Sequence, residues 1–155
     1  MQIGELIDLM NDRCQIKSFT LINVHHSEES FDKLCCYVKE SHRLRELKLS
    51  WQYLQPSAFV KLLRVIRDNR TLVNLSLSWN KLLYEQRVTS EADIERAKQE
   101  GVPVEEIPLS KRNKEILDYL ANFIKYNTYL IHLDLSNCGL IAPAIQYISS
   151  FLTKA

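Results

Sequence analysis

His132 and Asp134 stand two residues apart, the spacing that puts both side chains on one side of an extended strand. A histidine held by a carboxylate could act as a general base, but covalent catalysis also needs a nucleophile within reach. Cys138 is the nearest candidate, and the repeat pattern derived below places it in a buried turn. The expected role of His132 and Asp134 is therefore a surface ion pair. His25 and His26 are adjacent, yet no third ligand is spaced to join them around a metal. The cysteines Cys14, Cys35, Cys36 and Cys138 form no CxxC pair, so no zinc signature exists and reduced thiols are expected. Gly4, Gly101 and Gly139 are the only glycines, too scattered for a phosphate-cradling loop. No GxSxG or HExxH occurs. The chain is expected to be no enzyme and to hold no cofactor or metal.

Chemistry suited to binding is better represented. Trp51 and Trp79 lie 28 residues apart in matching contexts, LSWQYL and LSWNKL. Exposed tryptophan is the residue type most enriched where one protein grips another. The question is what positions the two indoles.

The same spacing runs through the whole chain. Segments beginning at Ile16, Leu44, Leu72 and Leu130 share apolar residues at offsets 0, 3 and 5, with starts 28, 28 and 58 residues apart. The last interval equals one period plus an insertion of 30, assigned to about residues 83–112. Offsets 15, 18, 19 and 22 are spaced as one face of a helix. They hold Phe31, Leu34, Cys35 and Val38; Phe59, Leu62, Leu63 and Ile66; Leu117, Leu120, Ala121 and Ile124; and Ile145, Ile148, Ser149 and Leu152. Across all seven offsets only Ser149 is not apolar. Ile3, Leu6, Ile7 and Met10 fit the helix half of a preceding partial unit over residues 1–15. Each unit is thus a strand followed by a helix. One unit cannot bury its apolar faces alone, so the units must stack, with their strands parallel.

A 28-residue period with LxxLxLxx(N/C)xL and a full helix resembles the ribonuclease-inhibitor-like class of leucine-rich repeats. The resemblance implies one α/β domain over residues 1–155, a curved right-handed solenoid with a concave parallel sheet and helices on the convex side. It also implies an Asn or Cys at offset 8 that satisfies backbone groups in a buried turn. Asn80 and Cys138 match; Val24 and Gln52 do not, so the first two units are expected to have a less regular ladder of turns. In ribonuclease inhibitors, aromatic residues of the concave face and rim contact the target protein.

Outward strand positions give a polar, nearly neutral face: Ser18, Glu46, Asn74 and His132; Thr20, Lys48, Ser76 and Asp134; Ile22, Ser50, Ser78 and Ser136. Offset 7 places Asn23, Trp51, Trp79 and Asn137 along one rim. The candidate partner-binding set is Trp51, Trp79, Glu46, Lys48, Asn74, His132, Asp134, Tyr53 and Tyr84. The insertion leaves at the same rim, so it is expected either to cover the stacked indoles or to share in binding. Within it Ser90 and Asp93 resemble a capping box, Glu91 to Gln99 reads as a short helix, and Gly101 as its stop.

Composition narrows the partner class. Hydrophobic residues make up 46% and charged residues 25% of 155, and the net charge is +1, which gives no long-range attraction to nucleic acid or a membrane surface. No apolar run approaches the roughly 18 residues that would span a bilayer. Met1 to Asp12 carries acidic residues and no basic start, unlike a signal peptide. A cytoplasmic protein with a protein partner is expected. Two alternatives remain: a structural subunit of a large ciliary or cytoskeletal assembly, whose repeats often carry the LSWN type seen at Leu77–Asn80, and the recognition domain of a longer effector of ubiquitin-ligase type. Both ends resemble ordinary repeats rather than polar caps, so further repeats or self-association through an open end are expected.

Overall fold

The computed structural model describes residues 3–13, 16–84, 95, 98–101 and 109–153. Its elements alternate: α1 (Ile3–Arg13), β1 (Ser18–Ile22), α2 (Glu28–Glu40), β2 (Glu46–Ser50), α3 (Pro56–Asp68), β3 (Asn74–Ser76), α4 (Lys111–Tyr126), β4 (His132–Asp134) and α5 (Ala142–Thr153). The strands form one parallel sheet in the order β1-β2-β3-β4. The register pairs Ser18 with Glu46, Glu46 with Asn74 and Asn74 with His132. These are the sequence intervals of 28, 28 and 58. Consecutive helices pack on one another in the same order.

Strand alternation sorts the side chains. Phe19 and Leu21, Leu47 and Leu49, and Leu75 and Leu77 point into the core, while their neighbours point away from the helices. The helix stripes meet them: Phe31, Leu34, Cys35 and Val38 of α2, and Phe59, Leu62, Leu63 and Ile66 of α3, are all buried in the same cluster. Each fully buried leucine there contributes roughly 2 kcal/mol. Pro56 opens α3 at a position where the missing N–H is no loss, and the Ser27 side chain caps α2 by accepting from the Ser30 N–H. Two inward assignments need correction. Ile124 is exposed in the last turn of α4, because Phe123, three residues after Leu120, occupies the core there. Ile145 is also exposed on α5, whose main helix neighbour is α4.

Helices α2, α3 and α4 return to the sheet through a polar residue three positions before the next unit. The Ser41 hydroxyl accepts from the Leu44 N–H, Asn69 from Thr71 and Leu72, and Asn127 from Tyr129 and Leu130. Asn69 is buried and also donates to the Val38 carbonyl at 2.7 Å, which ties two units together. The excursion after the third strand has a closed neck. The buried Asn113 amide accepts from the Tyr84 N–H at 2.9 Å and donates to the Tyr84 carbonyl at 3.1 Å. Lys111 and Arg112 stand in α4, so they belong to the helix rather than to a loop. Glu95, Lys98 and Gln99 are helical, and Gly101 takes a left-handed turn at φ +68°; Ser90, Asp93 and most of the excursion lie outside the described residues. No helix among the described residues is long and apolar enough to cross a membrane.

Neighbouring cysteines on α2 face opposite ways. Cys35 is buried and Cys36 exposed. Burial pushes the Cys35 thiol up to about 12, so it carries almost no thiolate near neutrality, and the thiolate is the reactive form. Iodoacetamide at about pH 8 should alkylate Cys36 and leave Cys35 intact, as read by peptide mass spectrometry. Equal labelling of both would mean that α2 opens readily from the core.

Candidate functional site

The helix-free face of the sheet is polar and largely paired with itself. Lys48 and Glu46 form an ion pair at 2.8 Å, and the Ser18 hydroxyl donates to Glu46 at 2.7 Å. The Ser50 and Ser78 hydroxyls meet at 2.9 Å. Asp134 accepts from the Ser76 hydroxyl at 2.8 Å, the Ser136 hydroxyl at 2.6 Å and the Ser136 N–H at 2.9 Å. This replaces the ion pair expected with His132, which stands exposed at the end of the same strand without bonding Asp134. The Asp134 carboxylate is instead taken up by hydroxyls and an N–H supplied by Ser76 across the ladder and by Ser136 in the turn just beyond the strand. Asn74 is half-buried between Glu46 and His132 in the register.

That bonding has a pH signature. The Ser136 side chain first, then its backbone N–H and the Ser76 hydroxyl, hold the Asp134 carboxyl below its ordinary value of 3.8. Lys48 first and then Ser18 do the same for Glu46. A carboxylate whose folded pKa is depressed contributes stability that is complete above its unfolded value and is lost as pH falls toward the folded one. Chemical denaturation repeated from about pH 6 to about pH 3 should show stability falling below about pH 4, less steeply in Asp134→Asn. An identical slope in that variant would remove Asp134 from the account.

The rim at offset 7 has different chemistry. Asn23, Trp51, Trp79 and Asn137 all adopt left-handed backbone, with φ of 53°, 56°, 61° and 55°. The geometry follows from the ladder: the N–H of Asn23 bonds the Ser50 carbonyl, that of Trp51 the Ser78 carbonyl and that of Trp79 the Ser136 carbonyl. The chain must then turn sharply toward its helix. Asparagine accepts this conformation readily; a bulky residue pays about 1–2 kcal/mol for it. The two tryptophans nevertheless occupy it, stack with ring centroids 4.7 Å apart and planes 20° apart, and remain 41% and 49% exposed.

Tyr53, also left-handed at φ 51°, stacks face to face on His25 at 5.4 Å with an interplanar angle of 6°. Two stacked aromatic pairs thus run along the rim, joined through Trp51 and Tyr53 of one unit. Tyr84 is exposed at the neck of the excursion, with the Arg112 guanidinium over its ring at 5.7 Å. The sequence pattern does not single out His25 as a rim residue; its sharing of offset 9 with Tyr53 is the available signal. His26 stacks on Phe31 instead. Among the described residues no three His, Cys, Asp or Glu side chains group as a metal site. The expected covering of the indoles by the insertion of about residues 83–112 falls mostly outside the described residues.

Below the rim the buried turn carries Asn80 and Cys138, as the repeat pattern anticipated. The Asn80 amide donates to the Leu49 and Leu77 carbonyls at 2.7 and 2.8 Å, and its oxygen accepts from the N–H groups of Gln52 and Leu54. The Cys138 thiol donates to the Leu77 carbonyl at 3.0 Å.

No protein-family model matches this chain, and no curated protein matches it by sequence. Solved structures do match. The leiomodin-1 actin-binding site 2 is similar over 98% of this chain and 70% of its own, with a TM-score of 0.59 and 17% identity. The tropomodulin C-terminal domain of Caenorhabditis elegans is similar over 99% of this chain and 93% of its own, with a TM-score of 0.52 and 16% identity. At such identities the likeness is one of fold.

Proposed function

We propose that this chain is a protein-binding module, a leucine-rich repeat solenoid of the ribonuclease-inhibitor-like class that grips its partner along the aromatic rim. The carrying observation is the Trp51–Trp79 pair, held exposed in a backbone conformation that costs tryptophan energy and would suit asparagine better. Strain that the stack does little more than offset leaves the exposed indoles with a role outside folding. The polar sheet contributes less to affinity in this reading. Glu46, Lys48 and Asp134 already have partners within the chain, so docking must break or share those bonds. Asn74 and His132 serve as polar contacts beside the rim, and Tyr53 and Tyr84 extend the aromatic surface.

The likeness to an actin-binding site of leiomodin-1 makes actin the first partner to try, and it supports a cytoskeletal setting over a ubiquitin-ligase one. Catalysis has no place in this reading. The test is binding of fluorescent actin monomers, and co-sedimentation with filaments, for the wild type and for Trp51→Asn/Trp79→Asn. Saturable binding that the double variant loses supports the rim. Binding unaltered in the variant moves the site elsewhere on the chain, and absence of binding to either form of actin rejects actin as the partner.

A further inference from the structure

Beneath the His25–Tyr53 pair lies a cavity of about 410 Å³ between the first two units, at the starts of α2 and α3. Its size is that of a small-ligand or side-chain pocket. Gln52, one of its lining residues, is only 3% exposed. Gln52 stands at the offset where Asn80 and Cys138 satisfy the turn. Its longer side chain donates to the Ser50 carbonyl at 3.0 Å and leaves its own oxygen, Oε1, buried without a partner. Both ring nitrogens of His26, another lining residue, are likewise buried and unbonded. Such groups are rare in folded proteins because each forfeits a hydrogen bond it had in water. The departure of this unit from the repeat pattern therefore coincides with a cavity whose wall contains two residues with unmet hydrogen-bonding capacity. A turn of the terminal amide, a soft torsion, would give up its bond to the Ser50 carbonyl, which still accepts from the Asn23 N–H, and present Oε1 to the cavity.

The charges select the occupant. Glu28 and Asp32 line the cavity, and the one lysine there, Lys61, is bound to Asp32. That carboxylate holds the Lys61 ammonium above its ordinary range, so Lys61 is already committed. Glu28 adds a second carboxylate against this single ammonium, which leaves the lining acidic, and Gln52 supplies an acceptor. Tyr53, with one face stacked on His25, adds aromatic surface beside these groups. An anion would meet Glu28 and Asp32 instead.

We infer that the cavity is a receptor for a guanidinium group, the side chain of an arginine that the partner inserts beside the aromatic rim. A guanidinium carries five N–H donors in one plane and accepts nothing, which matches the acceptors present. Insertion would pair Gln52 Oε1 and Glu28 and bring the cation beside the Tyr53 ring. The inference rests on the protein-binding reading, since an arginine at this depth comes from a docked chain.

The probe is N-acetyl-arginine amide, added to the intact chain and followed by side-chain NMR of His25, His26, Gln52 and Tyr53. Saturable shifts at these residues are expected, with binding about tenfold weaker in Gln52→Leu and in Glu28→Gln, and unchanged in Trp79→Asn. Glu28 is exposed, so its variant tests the site even if the core substitution disturbs folding. N-acetyl-norleucine amide and inorganic phosphate serve as controls. No saturable shift with the arginine probe, equal shifts with norleucine, or tighter binding of phosphate would each overturn the inference. Because the probe needs no partner, it reports on the cavity alone. A partner retained by Glu28→Gln but lost by the tryptophan variant would leave the rim reading intact while rejecting the cavity.

Discussion

Asn80→Ala should lower the unfolding free energy by about 3–5 kcal/mol, the largest stability loss expected from any single polar substitution in the chain. The side chain is 2% exposed and serves four backbone groups at once: the carbonyls of Leu49 and Leu77 and the N–H groups of Gln52 and Leu54. Those groups belong to two successive units. Alanine would take this partner from the Leu49 carbonyl and from the Gln52 and Leu54 N–H groups, at about 1 kcal/mol each or more, while the Leu77 carbonyl keeps the Cys138 thiol. Asn80→Cys offers an internal comparison, because Cys138 fills the same offset one unit later. A thiol donates once, to the Leu77 carbonyl in the case of Cys138, and cannot replace both arms of the amide. The cysteine variant should therefore fall between wild type and alanine. Urea unfolding followed by circular dichroism measures all three. A loss under about 1 kcal/mol for alanine would mean that water enters the turn and that the amide is not what joins these units.

The legible part of the molecule was the part governed by periodicity. Alternation at offsets 3 and 5 and helical spacing at 15, 18, 19 and 22 are direct consequences of two backbone geometries. They placed Leu47 and Leu49 inward and Glu46 and Lys48 outward, and the sheet register followed from the intervals between repeats. The interval of 58 between β3 and β4 is one period plus 30 residues, and β4 pairs with β3 across it. What escaped was chemistry set by contacts between units rather than by position within one. Tryptophan gives no hint of left-handed backbone, although Asn23 and Asn137 at the same offset did. Asp134 and His132 share a face, yet the nearer hydroxyl across the ladder and the turn beyond the strand captured the carboxylate. The Asn113 clamp on Tyr84 joins residues on either side of an excursion whose path the pattern does not give. Gln52 was visible as a mismatch at offset 8, but only its surroundings reveal the unbonded oxygen and the cavity beside it.

The offset-7 asparagines also supply the sharpest functional test. Trp51→Asn/Trp79→Asn gives all four units the same residue at the rim, and the chain already tolerates that residue twice in this conformation. Two terms then oppose each other in stability. Relief of left-handed strain favours the variant by about 1 kcal/mol per site. Loss of the indole stack and of the half-buried ring surface disfavours it by about 0.5–1.5 kcal/mol beyond the area term. The net change in unfolding free energy should lie within about 1 kcal/mol of zero. Partner binding faces no such cancellation. Truncating a central aromatic anchor typically costs about 2 kcal/mol or more, or about thirtyfold in affinity for even one site, and two adjacent anchors should abolish measurable binding. The expected result is thus a variant that folds like the parent and binds like an unrelated protein. If the pair were structural, the pattern would invert: unfolding would occur several degrees earlier while the partner stayed bound. Circular dichroism melts and binding curves measured on the same preparations decide between a stack that serves the fold and one that the fold carries for a partner.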